Sequence, residues 1–184
     1  LKHPVGQYRE VCRILEAESY DIVYLNISTA IDCIAAWAAK KKKVPRIFIH
    51  SHTSGNDCEN PVKRMIFDSI HKFCRLSLYR AATEYYGCSE KAGLWMFPEK
   101  IVKSDRFQMI FNAVDLKKFT YSSAVRDDVR KELNLENKFV VGHVGNFVYQ
   151  KNHYFLIDIF EELKRKCPEA VLLLLGRGER FETV

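Results

Sequence analysis

What the sequence lacks narrows the field first. No apolar run approaches the ~20 residues needed to cross a bilayer as a helix; stretches such as 171–175 (VLLLL) are far too short. Six cysteines, at 12, 33, 58, 74, 88 and 167, form no C-x-x-C pair. Neither a zinc ribbon nor a redox dithiol is therefore indicated, and in a chain of this size they read as buried thiols of a reducing compartment. Neither G-x-x-x-x-G-K-[ST] nor G-x-G-x-x-G occurs, which removes the P-loop and the dinucleotide fingerprint. No internal repeat, low-complexity tract or nucleic-acid motif is present. Aromatic residues are not interleaved with basic ones as on an RNA-binding platform, so no nucleic-acid partner is expected.

What remains is an ordinary globular balance, with 47% apolar and 28% charged residues, against disorder or collagen-like repetition. A length of 184 residues allows one domain or parts of two. Lysine and arginine outnumber aspartate and glutamate by 29 to 23, a net charge of +6. That excess suits anionic partners such as nucleotide diphosphates, lipid headgroups or nucleic acid without choosing among them. The first residue is Leu1 rather than methionine, and residues 1–10 hold no signal-peptide hydrophobic core. The last apolar run is followed by only a short tail, where a parallel sheet would not ordinarily end. A piece of a longer protein is the expectation.

Apolar runs alternate with helical patterns throughout. Strands are predicted at 21–25, 45–50, 84–88, 106–111, 138–144 and 171–175, and helices at 8–17, 28–43, 61–82, 90–97, 123–133 and 152–166. Pro61 suits the first turn of its helix, and Ser89 is placed to cap the helix that follows it. In 152–166, Phe155, Leu156, Ile159, Phe160 and Leu163 share one face at helical spacing. Alternation of this kind predicts a parallel, doubly wound α/β sheet with helices on both faces. The pattern loosens between 112 and 121, the natural place for a domain boundary.

The most informative stretch is VGHVGNFVYQKN, residues 141–152. A strand runs into a turn at Gly145 and Asn146, Lys151 follows, and Asn152 opens a helix. Ligands of open α/β sheets collect at the carboxyl ends of strands. A helix N-terminus there favours an anion, and Lys151 would add a full positive charge. The physics is that of a diphosphate site; a surface lysine beside an ordinary helix cap gives the same local pattern.

Five motifs in order then resemble a known family. His50-Ser51-His52-Thr53, Cys88-Ser89-Glu90-Lys91-Ala92-Gly93, Phe111-Asn112-Ala113-Val114-Asp115 with Phe119, the 142–153 segment and LLLGRG at 173–178 are similar to those of retaining family-four glycosyltransferases of the GT-B fold. The branch that builds bacterial capsular polysaccharides and exopolysaccharides is the best match, and the resemblance covers about residues 20–178. It implies two Rossmann-like parallel-sheet domains, both incomplete: 1–114 as part of the acceptor-side domain and 115–184 as the start of the nucleotide-sugar-binding domain. It also implies a UDP-linked donor, a saccharide or lipid-linked acceptor, retention of configuration, no cofactor, and a cytoplasmic place, peripheral on the inner face of the membrane. The family's first strand with its glycine-rich turn and its downstream glutamate pair are not found here. The expectation is that this stretch alone is inactive and, with unpaired sheet edges, prone to self-association.

Residue by residue, Lys151, Asn146 and Gly145 fall on the family's donor diphosphate site. Asn146 stands where the family has an arginine, so a bidentate phosphate clamp is absent. Ala113 replaces the glycine of an Asn-Gly turn, where positive φ is expected. His52 best matches the histidine that contacts the transferred sugar, with His50 one pleat earlier; these are the catalytic candidates, against a structural role bonding to backbone. Zinc on His50 and His52 would need a third ligand that nothing fixes, although Cys58 is near in sequence. No metal is expected, and the absence of any Asp-x-Asp agrees with a metal-independent transferase. Gly176, Gly178 and Glu179 border the nucleotide or form a turn. Lys40, Lys41, Lys42 and Lys43 make a basic helix end, either solvated or in contact with an anionic membrane. A nucleotide-sugar epimerase of the same fold and a non-catalytic nucleotide-sugar-binding module are the alternatives.

Overall fold

The computed structural model describes residues 3–184. The chain divides into two compact units, the first ending at Ala113 and the second comprising Val114–Val184.

In the first unit, β1 (Ile22–Ile27), β2 (Arg46–Ser51), β3 (Glu84–Gly87) and β4 (Phe107–Met109) form a parallel sheet in the order β1-β2-β3-β4. Helix α1 (Pro4–Ala17) precedes β1, α2 (Ile34–Lys41) joins β1 to β2, and α3 (Pro61–Leu78) joins β2 to β3. Helices α4 (Glu90–Met96) and α5 (Glu99–Val102) join β3 to β4. Starts are set by side chains that satisfy free amides: Asn60 accepts from Val62 and Lys63, and Ser89 accepts from Ala92. Ile47, Ile49 and Tyr85 of the sheet pack with Ala36, Ala39, Leu78, Met96 and Phe97 of the helical layer. Alanines let α2 lie close to the sheet, which is why its apolar face is made of small residues.

Helices on both faces are not what this unit shows. The core cluster joins α1, α2, α3 and α4 to one face, while Tyr24, Phe48, His50 and Tyr86 meet one another on the other. The reason is topological. Right-handed crossovers between strands laid down in one direction put every helix on the same side, and the order never reverses within β1–β4.

In the second unit, β5 (Phe139–Val144) pairs in parallel with β6 (Ala170–Leu175). Helix α6 (Ser123–Glu132) precedes β5, and α7 (His153–Lys166) connects the two strands. Lys164, Arg165 and Lys166 close α7, where cations suit the negative helix end.

Several local expectations shift. Residues 28–43 are not one helix: a short 3-10 turn, Ala30–Asp32, capped by Thr29, precedes α2. Asn152 stands at the N-cap of α7 as expected, but it is left-handed at φ 46° and a 3-10 turn, Tyr149–Lys151, precedes it. Among described residues other than glycine, positive φ occurs at Lys43, Asn134 and Asn152. Ala113 is not among them, so the positive φ expected there is absent; a Cβ disfavours the conformation that glycine permits. All six cysteines are free and half-buried rather than fully buried. No described helix is long and apolar enough to cross a membrane.

Candidate functional site

In the second unit, the loops after β5 and β6 are zipped together by backbone hydrogen bonds. Gly145 N–H donates to Leu175 O at 2.9 Å, Phe147 N–H to Arg177 O at 2.9 Å, and Arg180 N–H to Phe147 O at 3.1 Å. Gly176 lies so close to the Gly145 carbonyl that a methyl group there would overlap it. Gly178, at φ 156°, also sits tight on the Phe147 carbonyl, where an added methyl would lie 2.4 Å from the oxygen. Both glycines thus let two strand ends converge, a packing task; Glu179 beside them is exposed.

The Lys151 side chain runs over this junction: a Cβ at Gly145 would stand 3.6 Å from its Cδ and Cε. Lys151 and Asn146 are both exposed. The structure therefore brings Gly145, Lys151 and Gly176 together at the carboxyl end of the sheet, beside the N-terminus of α7. Free amides and the positive helix end favour an anion there.

Two histidines given no role from sequence complete the floor. His153, the first residue of α7, is 2% exposed and stacks on Phe147, with centroids 4.3 Å apart and planes 7° apart. His143 meets it edge-on at 5.0 Å. Neither ring nitrogen of His153 has a hydrogen-bond partner, nor has His143 Nδ1. Burial, then the neighbouring His143 and Lys151, push His153 below the usual histidine range. Periodicity could not have signalled this pair, because one histidine lies on a strand and the other begins a helix.

In the first unit, His50 lies near the end of β2 and is 4% exposed. Its Nδ1 is hydrogen-bonded to the Tyr24 hydroxyl at 2.7 Å, and its Nε2 has no partner. Burial, reinforced by His52, lowers its pKa, opposed by the backbone of Ile110. The His52 ring is 4.1 Å from that of His50 and reaches Asn26 Oδ1 at 2.8 Å. Asn26 is opposite His50 in the β1–β2 register, so the ladder itself sets this triangle. Among the described residues no three metal-ligating side chains are grouped, and the Cys58 backbone N–H donates to Asn56 Oδ1.

Thr53, the residue after His52, helps line a cavity of about 410 Å³, whose walls also include Asp32, Asp57, Phe67, Asp68 and Trp95. An apolar floor with a few carboxylates and hydroxyls is a small-molecule site in composition. The sequence hides it because its walls come from four separate segments. Elsewhere in this unit, Lys40 reaches the Arg80 carbonyl at 2.5 Å and Lys42 pairs with Glu16. Two of the four clustered lysines are thus already engaged.

No family model matches the chain. Over 148 residues, 78% of the chain, it is 26% identical to a putative glycosyltransferase EpsF of Bacillus subtilis (strain 168), covering 37% of that protein. Among solved structures, Anabaena Alr3699/HepE in complex with UDP superposes with a TM-score of 0.72 at 21% identity, over 97% of this chain and 45% of that one. The same protein with UDP and glucose gives 0.71 at 19% identity, over 97% and 46%. Staphylococcus aureus MnaA with UDP gives 0.61 at 11% identity, over 97% and 47%. The chain therefore spans less than half the length of each of these proteins. The structural likenesses carry the fold, a partial pair of Rossmann-like units of the GT-B type, and the sequence relative agrees with the resemblance drawn from the motifs.

Proposed function

We propose that this chain is part of a retaining, metal-independent glycosyltransferase that moves a sugar from a UDP-linked donor to a saccharide or lipid-linked acceptor in polysaccharide synthesis. The observation that carries the donor side is the junction at Gly145, where Lys151 lies across two converging strand ends beside the N-terminus of α7. UDP in the HepE and MnaA structures, proteins of the same fold, supports a UDP-linked donor.

The chemistry follows from charge. When the bond between the anomeric carbon and the diphosphate oxygen breaks, its electron pair stays with that oxygen. Negative charge grows where Lys151 and the helix end are fixed in advance, so little reorganisation is needed. The acceptor hydroxyl bonds to the anomeric carbon and passes its proton to the departing diphosphate oxygen. No resident cofactor is required, since the nucleotide sugar is itself the substrate. On the acceptor side, His52 and His50 border the sheet end, and the neighbouring cavity has the size and mixed lining of a sugar subsite.

Calorimetry with UDP tests the donor site. Measurable binding that Lys151→Ala weakens about tenfold supports it, as expected for one charge-assisted contact; binding untouched by the substitution removes Lys151 from the site. A non-catalytic nucleotide-sugar-binding module is favoured by one residue, Asn146, which offers an amide where a guanidinium would grip phosphate. Sugar transfer by an enzyme with both complete domains and Asn146 intact would dismiss it.

A further inference from the structure

The cavity beside Thr53 lies at the carboxyl ends of β1 and β2, where open α/β sheets gather ligands. Thr29 follows β1 and Thr53 follows β2, while α3 contributes Phe67, Asp68 and His71 and α4 contributes Trp95. The three residues of α3 share one face by helical spacing. The aromatic wall is fixed in place. The Trp95 indole stacks on His71, with centroids 3.8 Å apart, and donates from Nε1 to the Ser28 carbonyl at 3.1 Å. Together with Phe67 it offers apolar surface for the C–H face of a pyranose ring.

The charge of the lining is one-sided. Asp32, Asp57 and Asp68 line the cavity, and among its described lining residues there is no lysine or arginine, in a chain whose net charge is +6. His71 does not supply the missing cation. The Ala30 N–H donates to its Nδ1 at 3.1 Å, and a second proton would point at that donor. Asp68 is oriented by Asn56, whose side-chain amide donates to its Oδ1 at 3.2 Å. Asp32 makes no ion pair among the described residues, and partial burial moves its carboxyl upward from the ordinary carboxylate value. Hydroxyl donors stabilise a partly desolvated carboxylate, whereas a second anion brought beside it is repelled.

We propose that this cavity binds an uncharged, hydroxyl-rich sugar of the acceptor and rejects a sugar that carries an acidic group. The inference rests on the reading of the cavity as the acceptor subsite and adds the class of sugar it takes. Specificity here comes from repulsion as much as from fit: Asp32 and Asp68 accept from hydroxyls, and no lining cation is present to receive an acid.

The test titrates the chain with matched methyl glycosides, glucoside against glucuronide and galactoside against galacturonide. The Trp95 indole N–H is followed by NMR, with UDP calorimetry alongside. Each pair differs only in a hydroxymethyl or a carboxylate at the same carbon. A neutral glycoside is expected to shift the Trp95 signal and to bind about tenfold more tightly than its acid, with a smaller margin in high salt. Asp32→Asn combined with Asp68→Asn keeps shape and acceptor oxygens, and should bring the acid within about threefold of its neutral partner. Glu99→Gln removes a charge from α5, outside the cavity, and should leave the margin unchanged. An acid bound as tightly as its neutral partner, or a margin that survives the double substitution, overturns the charge selectivity while leaving the cavity a sugar subsite. No Trp95 shift with any glycoside removes the cavity from the acceptor side and the proposal with it. UDP binding kept in that case confines the failure to this cavity, whereas sugar selectivity without UDP binding supports the proposal and counts against the donor site alone.

Discussion

The His71 imidazole lies flat on the Trp95 indole, with centroids 3.8 Å apart and planes 13° apart, and it is also wired to the backbone on both sides. The Ala30 N–H donates to Nδ1 at 3.1 Å, which fixes Nδ1 as an acceptor. Nε2 therefore carries the proton and donates to the Trp95 carbonyl at 2.9 Å. A second proton has no place to go, since it would point at the Ala30 N–H.

This predicts acid lability with a definite sign. Burial pushes His71 below its usual range, with Arg75 and Lys72 acting the same way and the Trp95 carbonyl and Asp68 opposing. Its folded pKa lies below its unfolded one, so the stabilisation is complete above about pH 6.5 and is lost as pH falls through the folded value. His50 and His153, also lowered by burial, add in the same direction. The urea midpoint should drop between pH 7.5 and 5.5, and His71→Gln, which keeps an acceptor and a donor, should shrink that drop. An unchanged drop in the variant would clear His71 of the effect.

A steric prediction concerns the paired loops of the second unit. Gly176→Ala drives a methyl into the Gly145 carbonyl, which is backbone and cannot rotate away. Overpacking of this kind costs about 1–3 kcal/mol. Thermal unfolding should show a loss in that range, and Gly142→Ala, where nothing lies within 4 Å, should show much less. Equal effects at both positions would mean the loops part readily.

Much of this was legible in the sequence, and the exceptions have a common cause. Strand β6 and the stripe on α7 are local patterns of period and composition, so they could be read directly. The motifs at His50–His52 and Gly145–Lys151 likewise lie within single segments. The left-handed Asn152 and the short helix α5 escaped because neither has a periodic signature. The cavity joining Asp32 to Trp95, and the stack of His153 on Phe147, depend on how the chain turns back on itself.

An arginine at position 146 should strengthen binding of a UDP-linked donor. Asn146 is exposed beside the Gly145 turn, and a guanidinium can make two parallel phosphate contacts where an amide makes one neutral one. Charged hydrogen bonds contribute about 1.5–3 kcal/mol when well placed, and exposure reduces that. Asn146→Arg should therefore tighten UDP binding about tenfold in calorimetry, with a steeper salt dependence. Unchanged or weaker binding would show that position 146 faces away from the phosphates.

The last prediction separates the two histidines of β2 by way of Asn26. His52 is held by Asn26 Oδ1 at 2.8 Å, whereas His50 is held by Tyr24 and buried. If His52 contacts the transferred sugar, Asn26 acts only through it, as a positioning residue. In an enzyme carrying both complete domains, His52→Ala should lower kcat by about 10²-fold, the scale of losing one transition-state contact, and leave UDP affinity intact. Asn26→Ala should lower kcat by less. Groups acting as one unit are not additive, so the double variant should match His52→Ala alone, and Asn26→Asp, which keeps an acceptor for His52, should recover most of the rate. His50→Ala should act differently: it opens a buried site among Tyr24 and Tyr86, so its main effect belongs in the melting temperature rather than in kcat. Fully additive losses at Asn26 and His52 would show that Asn26 reaches the substrate independently.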